Sequence, residues 1–303
     1  MIIDACPSIR YIAISYGEIM RLTSRTLTRT SSRRLTREVG RFVRETPGSQ
    51  SLERGLLLLR AFRSGGSLLT NADLAERAGL PRPTVSRLTR SLVDSGFLAF
   101  DMRSRAYRLT AAFLSFARVF RDDVPALDLA LPLMKSVAEG ESINVGLAVA
   151  DQFEMVYLES VRESRRGIFR RIVPGSRTPM ELTSLGRSHL YTLDEAARQQ
   201  ILRHIVSKYT HGWDEVASQI EEAFTDLATK GYCVAAWQPG MVAIAAPLQA
   251  PDRTLYALNI SFPSSAAEID DAQVARYAPK LLRLAKDIAA VWEARERERL
   301  ESA

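Results

Sequence analysis

The segment Thr70–Leu109, TNADLAERAGLPRPTVSRLTRSLVDSGFLAFDMRSRAYRL, decides the fold of the first part of this chain. Its first residue and Asp73 have the spacing of a capping box, and Gly79 suits the left-handed residue that follows a helix. Pro81 and Pro83 fit the start of a second helix, because the first turn needs no N–H for a hydrogen bond within the helix. The segment therefore predicts two helices joined by a tight glycine turn.

The second of these helices separates apolar residues from basic ones. Val85, Leu88 and Leu92 recur at i, i+3 and i+7, which places them on one buried face. Gly96 ends the helix. The residues that we expect to face solvent are Arg82, Thr84, Ser86, Arg87, Arg90 and Ser91. The runs FLAF and AYRLT then predict two short strands joined by DMRSR.

A further helix is predicted upstream, over residues 51–62. Ser51 can cap it, and Leu52, Leu56 and Leu59 recur on the face that we expect to be buried. Three helices followed by a β-hairpin form a winged helix-turn-helix. We assign this domain to residues 49–110.

The positive charge of the chain is concentrated in its first third. The 303 residues carry a net charge of +6, to which residues 1–46 contribute +5, residues 47–110 another +5, and the remainder −4. Because residues 1–110 are basic and the remainder is acidic, we predict that only the first third of the chain binds a polyanionic partner. Residues 1–48 are predicted to be a flexible basic extension, which is either a tail that attracts phosphates or a translated leader.

The rest of the chain predicts a linker helix and a second domain. The linker helix covers residues 111–124, and residues 125–303 have an α+β pattern. Helices are predicted over 126–139, 185–193, 195–206, 214–230 and 268–298. Strands are predicted at SINVGLAVA, FEMVYLESV, GIFRRIV, YCVAA, MVAIAAPLQ and TLYALNISF. The length fits two domains of ~150 residues each.

Several classes of protein are disfavoured. Cys6 and Cys233 lie far apart without CxxC spacing, and the three histidines lack metal-ligand spacing, so we predict no disulfide framework, metal or cofactor. No apolar run approaches the ~20 residues that cross a bilayer, and the first residues do not resemble a signal peptide, so we expect a cytoplasmic protein without membrane contact. GxSxG, HExxH and GxxxxGK[ST] motifs are absent, and we predict no catalytic residues.

In several ordered segments the chain resembles the IclR family of bacterial transcription regulators. The first are QSLERGLLLLRAF, the helix-turn-helix from Asn71 onward and the strand ending YRLT. The later ones are NVGLAVADQFEMVYLESV, GSRTPMELTSLGRSHL, the GY at Gly231 and PGMVAIAAPL. The likeness covers about Gln50 to Trp292.

The resemblance implies a winged helix-turn-helix joined to a GAF-like effector-binding domain. Such proteins act as dimers or dimers of dimers on palindromic double-stranded operators, and many of them sense small carboxylic or aromatic metabolites. The implied effector-binding residues are Ser184, Leu185, Gly186, Met241, Ala243, Asn259 and Ser261. From the residues themselves, Asn259 and Ser261 are two apart and project from one face of a strand. Arg187 or Arg170 could pair with a carboxylate.

Two departures from the family are visible. The family often has His where Glu181 stands, and it has an acidic run after the GY, where this chain has CVAAWQPG. An effector contact through an acidic residue at that place is therefore not expected here.

For DNA, a recognition helix presents its N-terminal residues to the base edges in the major groove. The predicted DNA-binding residues are Arg82, Thr84, Ser86, Arg87, Arg90, Arg103 and Arg105. We expect Arg82, Thr84 and Arg87 to lie nearest the bases and the wing residues Arg103 and Arg105 to meet backbone or minor groove. The alternatives are a scaffold or small-molecule-binding protein that has lost specific DNA reading, or an enzyme.

Overall fold

The computed structural model describes residues 48–63, 66, 68–164, 172–264 and 269–302. All but the last residue of the predicted basic extension, 1–48, thus lie outside the described residues. The chain divides into two compact units between Arg118 and Val119, inside the helix that the sequence predicts as a linker. Each unit has its own buried apolar core.

The first unit contains three helices, a β-hairpin and most of the linker helix. These elements are α1 (Gln50–Arg60), α2 (Asn71–Ala78), α3 (Arg82–Asp94), β1 (Leu98–Asp101), β2 (Ala106–Leu109) and α4 (Ala112–Asp122). The two strands pair antiparallel, with Phe100 opposite Tyr107. The predicted helix-turn-helix with its wing is confirmed.

Both predicted end signals of α2 are confirmed. The Asp73 N–H donates to Thr70 Oγ1 at 3.2 Å, and the Thr70 N–H donates to Asp73 Oδ2 at 2.8 Å, so the capping box is complete. Gly79 has a φ of 62°, the left-handed conformation that glycine adopts without a steric penalty. The turn between α2 and α3 is therefore set by local chemistry.

The predicted cap and buried face of α1 are wrong. Ser49, not Ser51, caps the helix, since its side chain accepts the N–H of Leu52. Leu52 and Leu56 are 62% and 52% exposed, whereas Leu58 is fully buried. Because residues 56–59 are four consecutive leucines, apolar side chains point in every direction around this helix, and contacts with α2 and α3 decide which of them is covered.

The second unit is a six-stranded antiparallel sheet with helices on both faces. Its helices are α5 (Pro125–Glu141), α6 (Ser184–Thr192), α7 (Glu195–Val206), α8 (Trp213–Lys230) and α9 (Asp271–Glu301). Its strands are β3 (Asn144–Asp151), β4 (Glu154–Arg162), β5 (Arg177–Pro179), β6 (Cys233–Gln238), β7 (Met241–Gln249) and β8 (Leu255–Pro263). Their order across the sheet is β5-β4-β3-β8-β7-β6.

Two apolar clusters cover the two faces of this sheet. Helices α5 and α9 pack on one face, where Met134 and Ile288 are fully buried. Helices α6, α7 and α8 lie over the other face, where Met155 and Leu190 are fully buried. The predicted α+β class is confirmed, and the described helices agree with the predicted ones to within three residues at each end.

Only the last two residues of the predicted strand GIFRRIV are described. Most of it falls on residues 165–171, outside the described residues, and Ile172 and Val173 are not in a strand. The edge strand β5 begins instead after the turn at Gly175, whose φ is 84°. Once the turn has reversed the chain, Ser176 accepts a hydrogen bond from the N–H of Tyr157, so pairing with β4 starts beyond it.

The described residues contain neither a membrane-spanning helix nor a group of side chains that could hold a metal ion. No helix there has the length and apolarity to span a bilayer. Nor do His, Cys, Asp and Glu side chains come together there in a group of three or more that could hold a metal ion.

Candidate functional site

Helix α3 presents unpaired arginines to solvent. Arg82, Arg87 and Arg90 are all exposed, while Val85 and Leu88 on the opposite side are buried in the core of the first unit. None of these three arginines forms an ion pair with another described residue. An exposed cation that is not neutralised within the protein remains available to a phosphate or a base edge.

Thr84 does not share this exposure. It is half-buried, although the sequence predicts that it faces solvent beside Arg82. Residues two positions apart on an α-helix are separated by ~200° around the axis, so Arg82 and Thr84 lie on opposite sides of α3. Ser86 and Arg87 lie between these sides and are exposed.

The wing tip is held by a local hydrogen-bond pair. Asp101 Oδ1 accepts the backbone N–H of Ser104 at 2.7 Å and its hydroxyl at 2.9 Å, which keeps the pKa of this carboxyl below its usual value. Arg105 has a φ of 50°, and both Arg103 and Arg105 are exposed. The turn thus carries two exposed arginines, and the nearby carboxylate of Asp101 is hydrogen-bonded to Ser104.

A pocket opens between the sheet of the second unit and the start of α6, and we call it the sheet pocket. It contains about 580 Å³ of space not filled by atoms, part of it open to solvent. The described residues that line it are Tyr157, Arg162, Ile172, Thr178, Thr183, Ser184, Leu185, Ala235, Trp237, Gln238, Met241, Ala243, Asn259 and Ser261. Its size and its mixture of apolar and polar walls are typical of a small-molecule site.

The sheet pocket contains buried polar atoms that have no hydrogen-bond partner among the described residues. They are Thr178 Oγ1, Ser184 Oγ and Asn259 Oδ1, on side chains that belong to three residues each at most 3% exposed. An unsatisfied buried polar group costs ~1–3 kcal/mol. A ligand or water that bonds to these atoms would recover that cost.

A β-bulge brings two pocket residues to the same face. The pairing of β3 and β4 shifts register between Leu147 and Ala148, which leaves Leu158 as an extra residue in β4. On a regular strand, Tyr157 and Arg162 would face opposite sides because they are five positions apart. The inserted residue reverses this relation, and both side chains line the sheet pocket.

Tyr157 is tied to Asn259 across the strand between them. Asn259 Nδ2 donates to Tyr157 Oη at 3.4 Å, over Gly146 of β3. A Cβ at Gly146 would lie 2.5 Å from both Asn259 Oδ1 and the Tyr157 ring, so only glycine leaves room for this pair. Burial raises the pKa of Tyr157 to about 12, and its hydroxyl therefore keeps its proton and can donate.

The N-terminus of α6 forms another wall of the sheet pocket. Thr183 caps the helix by accepting the N–H of Gly186 at 3.2 Å, and its own hydroxyl donates to the carbonyl of Pro179. The first turn of a helix has N–H groups without intrahelical acceptors and a partial positive charge. An anion in the pocket can be stabilised by this end of α6.

The comparison with protein families covers both units. Residues 51–101 match the IclR helix-turn-helix domain, and residues 122–290 match the C-terminal domain of the bacterial transcriptional regulator IclR. The chain belongs to the IclR family. It is an IclR-family transcription regulator with a helix-turn-helix DNA-binding domain, in agreement with the resemblance drawn from its sequence.

Individual relatives extend the comparison. The HTH-type transcriptional regulator TsaQ1/TsaQ2 of Comamonas testosteroni is 31% identical over 61% of this chain and 66% of its own length. An IclR family transcriptional regulator from Brucella abortus has a crystal structure with a TM-score of 0.70 and 29% identity, covering 80% of this chain and 92% of that one. An IclR homolog from Microbacterium hydrocarbonoxydans, crystallised with 4-hydroxybenzoate, has a TM-score of 0.62 over 81% of this chain and 100% of that one, and at 21% identity this likeness shows the fold alone.

Most residues that the IclR resemblance suggests as effector contacts come together in the structure. Ser184, Leu185, Met241, Ala243, Asn259 and Ser261 all line the sheet pocket. Gly186 does not line it. It lies behind the pocket wall, packed against Met180. That these residues bind an effector stays a prediction.

The two arginines considered as carboxylate partners do not line the pocket among the described residues. Arg187 is buried and turned away, since its guanidinium donates to the Glu181 carbonyl at 2.9 Å and to Gln219 Oε1 at 2.6 Å. Arg170 lies outside the described residues. Arg162 lines the pocket instead, and sequence reasoning missed it because its facing depends on the bulge.

The segment that departs from the family after Gly231 does contribute to the pocket. Ala235, Trp237 and Gln238 line it, so an aromatic ring and an amide stand in this part of the wall. Glu181, the other departure, is buried away from the described pocket lining. Its carboxylate accepts the hydroxyl of Tyr209 at 3.0 Å, and burial raises its pKa.

Replacing Gly186 with alanine tests the packing that positions the start of α6 beside the sheet pocket. A Cβ at Gly186 would lie 2.1 Å from the Cα of Met180, so backbone must move to admit it. We expect Gly186→Ala to lower the free energy of unfolding by about 3 kcal/mol or more, the upper range for overpacking. Chemical denaturation measures this change.

Gly140→Ala is the matched control. Gly140 is an exposed residue in α5, and a Cβ there meets no atom within 4 Å. Alanine at this position should leave stability unchanged or raise it by up to about 1 kcal/mol, because alanine favours the helix. Equal effects of the two substitutions would contradict the close approach of α6 to Met180.

Proposed function

We propose that this IclR-family regulator binds double-stranded operator DNA with α3 and the wing, and that a small organic or aromatic acid in the sheet pocket modulates this binding. The observation that carries the DNA contact is the row of exposed arginines on α3, which have no acidic partner in the part of the chain that the structure describes. The observation that carries the effector is the group of buried pocket atoms that have no hydrogen-bond partner among the described residues.

In this proposal the α3 residues divide into two roles. Arg82 and Arg87, near the N-terminal half of the helix, read base edges in the major groove, where an arginine can bond guanine O6 and N7 together. Arg90, one turn further, contacts phosphate. Ser86 lies between the arginines and can bond a base or a phosphate, whereas the half-buried Thr84 contacts DNA only at the edge of the interface.

The wing supplies a second, sequence-independent contact. Arg103 and Arg105 stand on a turn that Asp101 and Ser104 hold by hydrogen bonds, so little conformational freedom is lost when the wing meets DNA. Their charge adds phosphate attraction, or minor-groove contact where the groove is narrow.

Arg87→Ala tests the DNA contact. The substitution removes an exposed side chain, so we expect an unchanged fold and operator affinity lowered by about 10- to 100-fold, as for loss of ~1–3 kcal/mol of base contact. Operator fragments selected from a random DNA library provide the ligand, and mobility shifts at fixed salt measure the affinity.

Arg54→Ala is the control for charge. Arg54 is an exposed arginine on α1, so its loss changes the net charge by the same amount away from α3. We expect this variant to lose much less affinity than Arg87→Ala. Equal loss in both variants, or equal binding to selected and random DNA, would contradict specific reading by α3.

The effector part predicts stabilisation by small acids. A ligand that binds only the folded protein adds ~2.7 kcal/mol at a concentration 100 times its Kd, which raises the melting temperature by a few degrees. We therefore expect a benzoate or aliphatic acid series, including the 4-hydroxybenzoate bound by the Microbacterium homolog, to contain ligands that raise the melting temperature and change operator affinity. A broad series without any shift would contradict the proposed effector.

Self-association through α4 is also part of the proposal. Leu114, Phe116, Val119 and Phe120 of this helix are each at least half exposed. Burying such a row favours pairing with a second copy. We expect Phe120→Glu to shift the sedimentation equilibrium toward monomer, whereas Leu300→Glu, at a leucine near the end of α9 that is 65% exposed, should not. A similar shift in both variants would count against α4.

A further inference from the structure

Asn144, the first residue of β3, is a buried amide with an unused donor. Its side chain is 3% exposed, and Nδ2 has no hydrogen-bond partner among the described residues. The amide oxygen accepts the backbone N–H of Ser164 at 3.3 Å, which fixes the orientation of the amide and leaves the nitrogen unmatched. A buried donor without an acceptor destabilises the fold, and an acceptor on a ligand would remove this cost.

Asn144 lies on the face of β3 that carries the sheet pocket. Residues two positions apart project from the same face of a strand, so Asn144 and Gly146 share a face. A Cβ at Gly146 would contact Tyr157 and Asn259, which both line the pocket. Val145, between them in the chain, belongs to the core on the opposite face of the sheet. Asn144 is therefore on the pocket side, although it is not itself among the lining residues.

The sheet register places Asn144 between two residues that do line the pocket. It is directly opposite Arg162 of β4 on one side and directly opposite Ser261 of β8 on the other. Residues paired in this way have Cβ atoms ~4.5–5.5 Å apart. A guanidinium, an amide and a hydroxyl thus occupy three adjacent positions across the sheet, and we call Arg162, Asn144 and Ser261 the donor row.

Arg162 gives the donor row a positive charge. It is the one charged side chain among the described residues that line the pocket. The side chain is half-buried, and within the described part of the chain its guanidinium has neither an ion-pair partner nor a hydrogen-bond acceptor. Burial without a counter-ion lowers the pKa of Arg162. An anion in the pocket would relieve this penalty.

Beyond Ser261 the same line across the sheet becomes apolar. Ser261 is opposite Ala243 of β7, and Ala243 is opposite Ala235 of β6. Both alanines line the pocket, together with Trp237 and Met241 of the same two strands. A molecule that lies along this line meets hydrogen-bond donors at one end and apolar surface at the other.

We propose that the effector is an amphipathic carboxylic acid whose carboxylate accepts hydrogen bonds from Arg162, Asn144 and Ser261, and whose apolar body lies over Ala243 and Ala235. This inference rests on the proposed effector pocket and names the residues that recognise its acidic group. Arginine holds a carboxylate through two parallel hydrogen bonds, and the amide and the hydroxyl donate to the remaining lone pairs.

The test compares each acid with its uncharged amide, which has nearly the same shape. Isothermal titration of the full chain measures Kd for benzoate against benzamide and for hexanoate against hexanamide. Any other acid that raises the melting temperature is compared with its own amide in the same way. We expect the acid to bind at least about tenfold more tightly, because hydrogen bonds to a charged group are stronger. A ratio near one in every pair would overturn the inference.

Variants at position 162 assign the preference to its partner. In Arg162→Gln the preference for the acid should disappear, whereas Arg162→Lys should retain part of it because the positive charge remains. Arg203→Gln removes an exposed arginine on α7 outside the pocket and should keep the preference of the unchanged protein. A folded Arg162→Gln protein with the full preference would also overturn the inference, since the acid would then be recognised elsewhere, as at the start of α6.

Asn144→Asp tests whether Asn144 and Arg162 act as neighbours in the donor row. Aspartate keeps an oxygen for the Ser164 N–H and places a carboxylate opposite Arg162, so the guanidinium is neutralised within the protein. We expect acids to lose at least about tenfold in affinity, while amides change by less than about threefold. An unchanged affinity for acids in the folded variant would contradict the donor row.

The outcomes separate this inference from the broader proposal. If amides bind as tightly as acids, the pocket stands as a ligand site and the assignment of the carboxylate to the donor row fails. If neither acids nor amides bind and the broader acid series also gives no thermal shift, the effector pocket itself fails, and the donor-row assignment with it.

Discussion

The contact between Gly186 and Met180 constrains the face of the second unit that carries the sheet pocket. The two residues are so close that no side chain fits at position 186, and this approach brings the start of α6 down onto the sheet. Because α6 is buried along almost its entire length, its neighbours on the sheet and on α8 are packed around that position. The sheet pocket lies at this end of α6, where Thr183 and Ser184 line it together with Asn259 and Ser261 of β8.

The bulge in β4 has a comparable effect on the electrostatics of the site. One additional residue, Leu158, changes which side of the strand Arg162 faces and so turns a cation toward the pocket. The guanidinium of Arg187, by contrast, is buried and donates hydrogen bonds to the Glu181 carbonyl and to Gln219 Oε1. Charge in the pocket is thus governed by strand register, and the sign of that charge is the basis for expecting an acidic ligand.

The DNA-binding unit follows a simpler logic. Its small core of leucines, valine and alanines occupies one side of α2 and α3, and the exposed positions of α3 are filled by arginine, serine and proline, with Asp94 at the end of the helix. Two acidic residues of this unit are engaged locally, Asp73 by Thr70 and Asp101 by Ser104, and none of the described carboxylates forms an ion pair with the α3 arginines. The IclR family assignment and this charge distribution agree on the same surface.

The sequence by itself determined the elements whose signals are local. Capping at Thr70, the left-handed Gly79, the apolar spacing of α3 and the strand-like run after Asn144 all predicted the observed structure, because each depends on residues within one turn or one strand. The family resemblance identified six residues that line the sheet pocket, without showing that they bind a ligand. Tertiary structure alone decided which leucines of α1 are covered, where the edge strand β5 begins and that Arg162 faces the pocket. Each of these depends on contacts with residues far away in the chain, which neither periodicity nor motif spacing records.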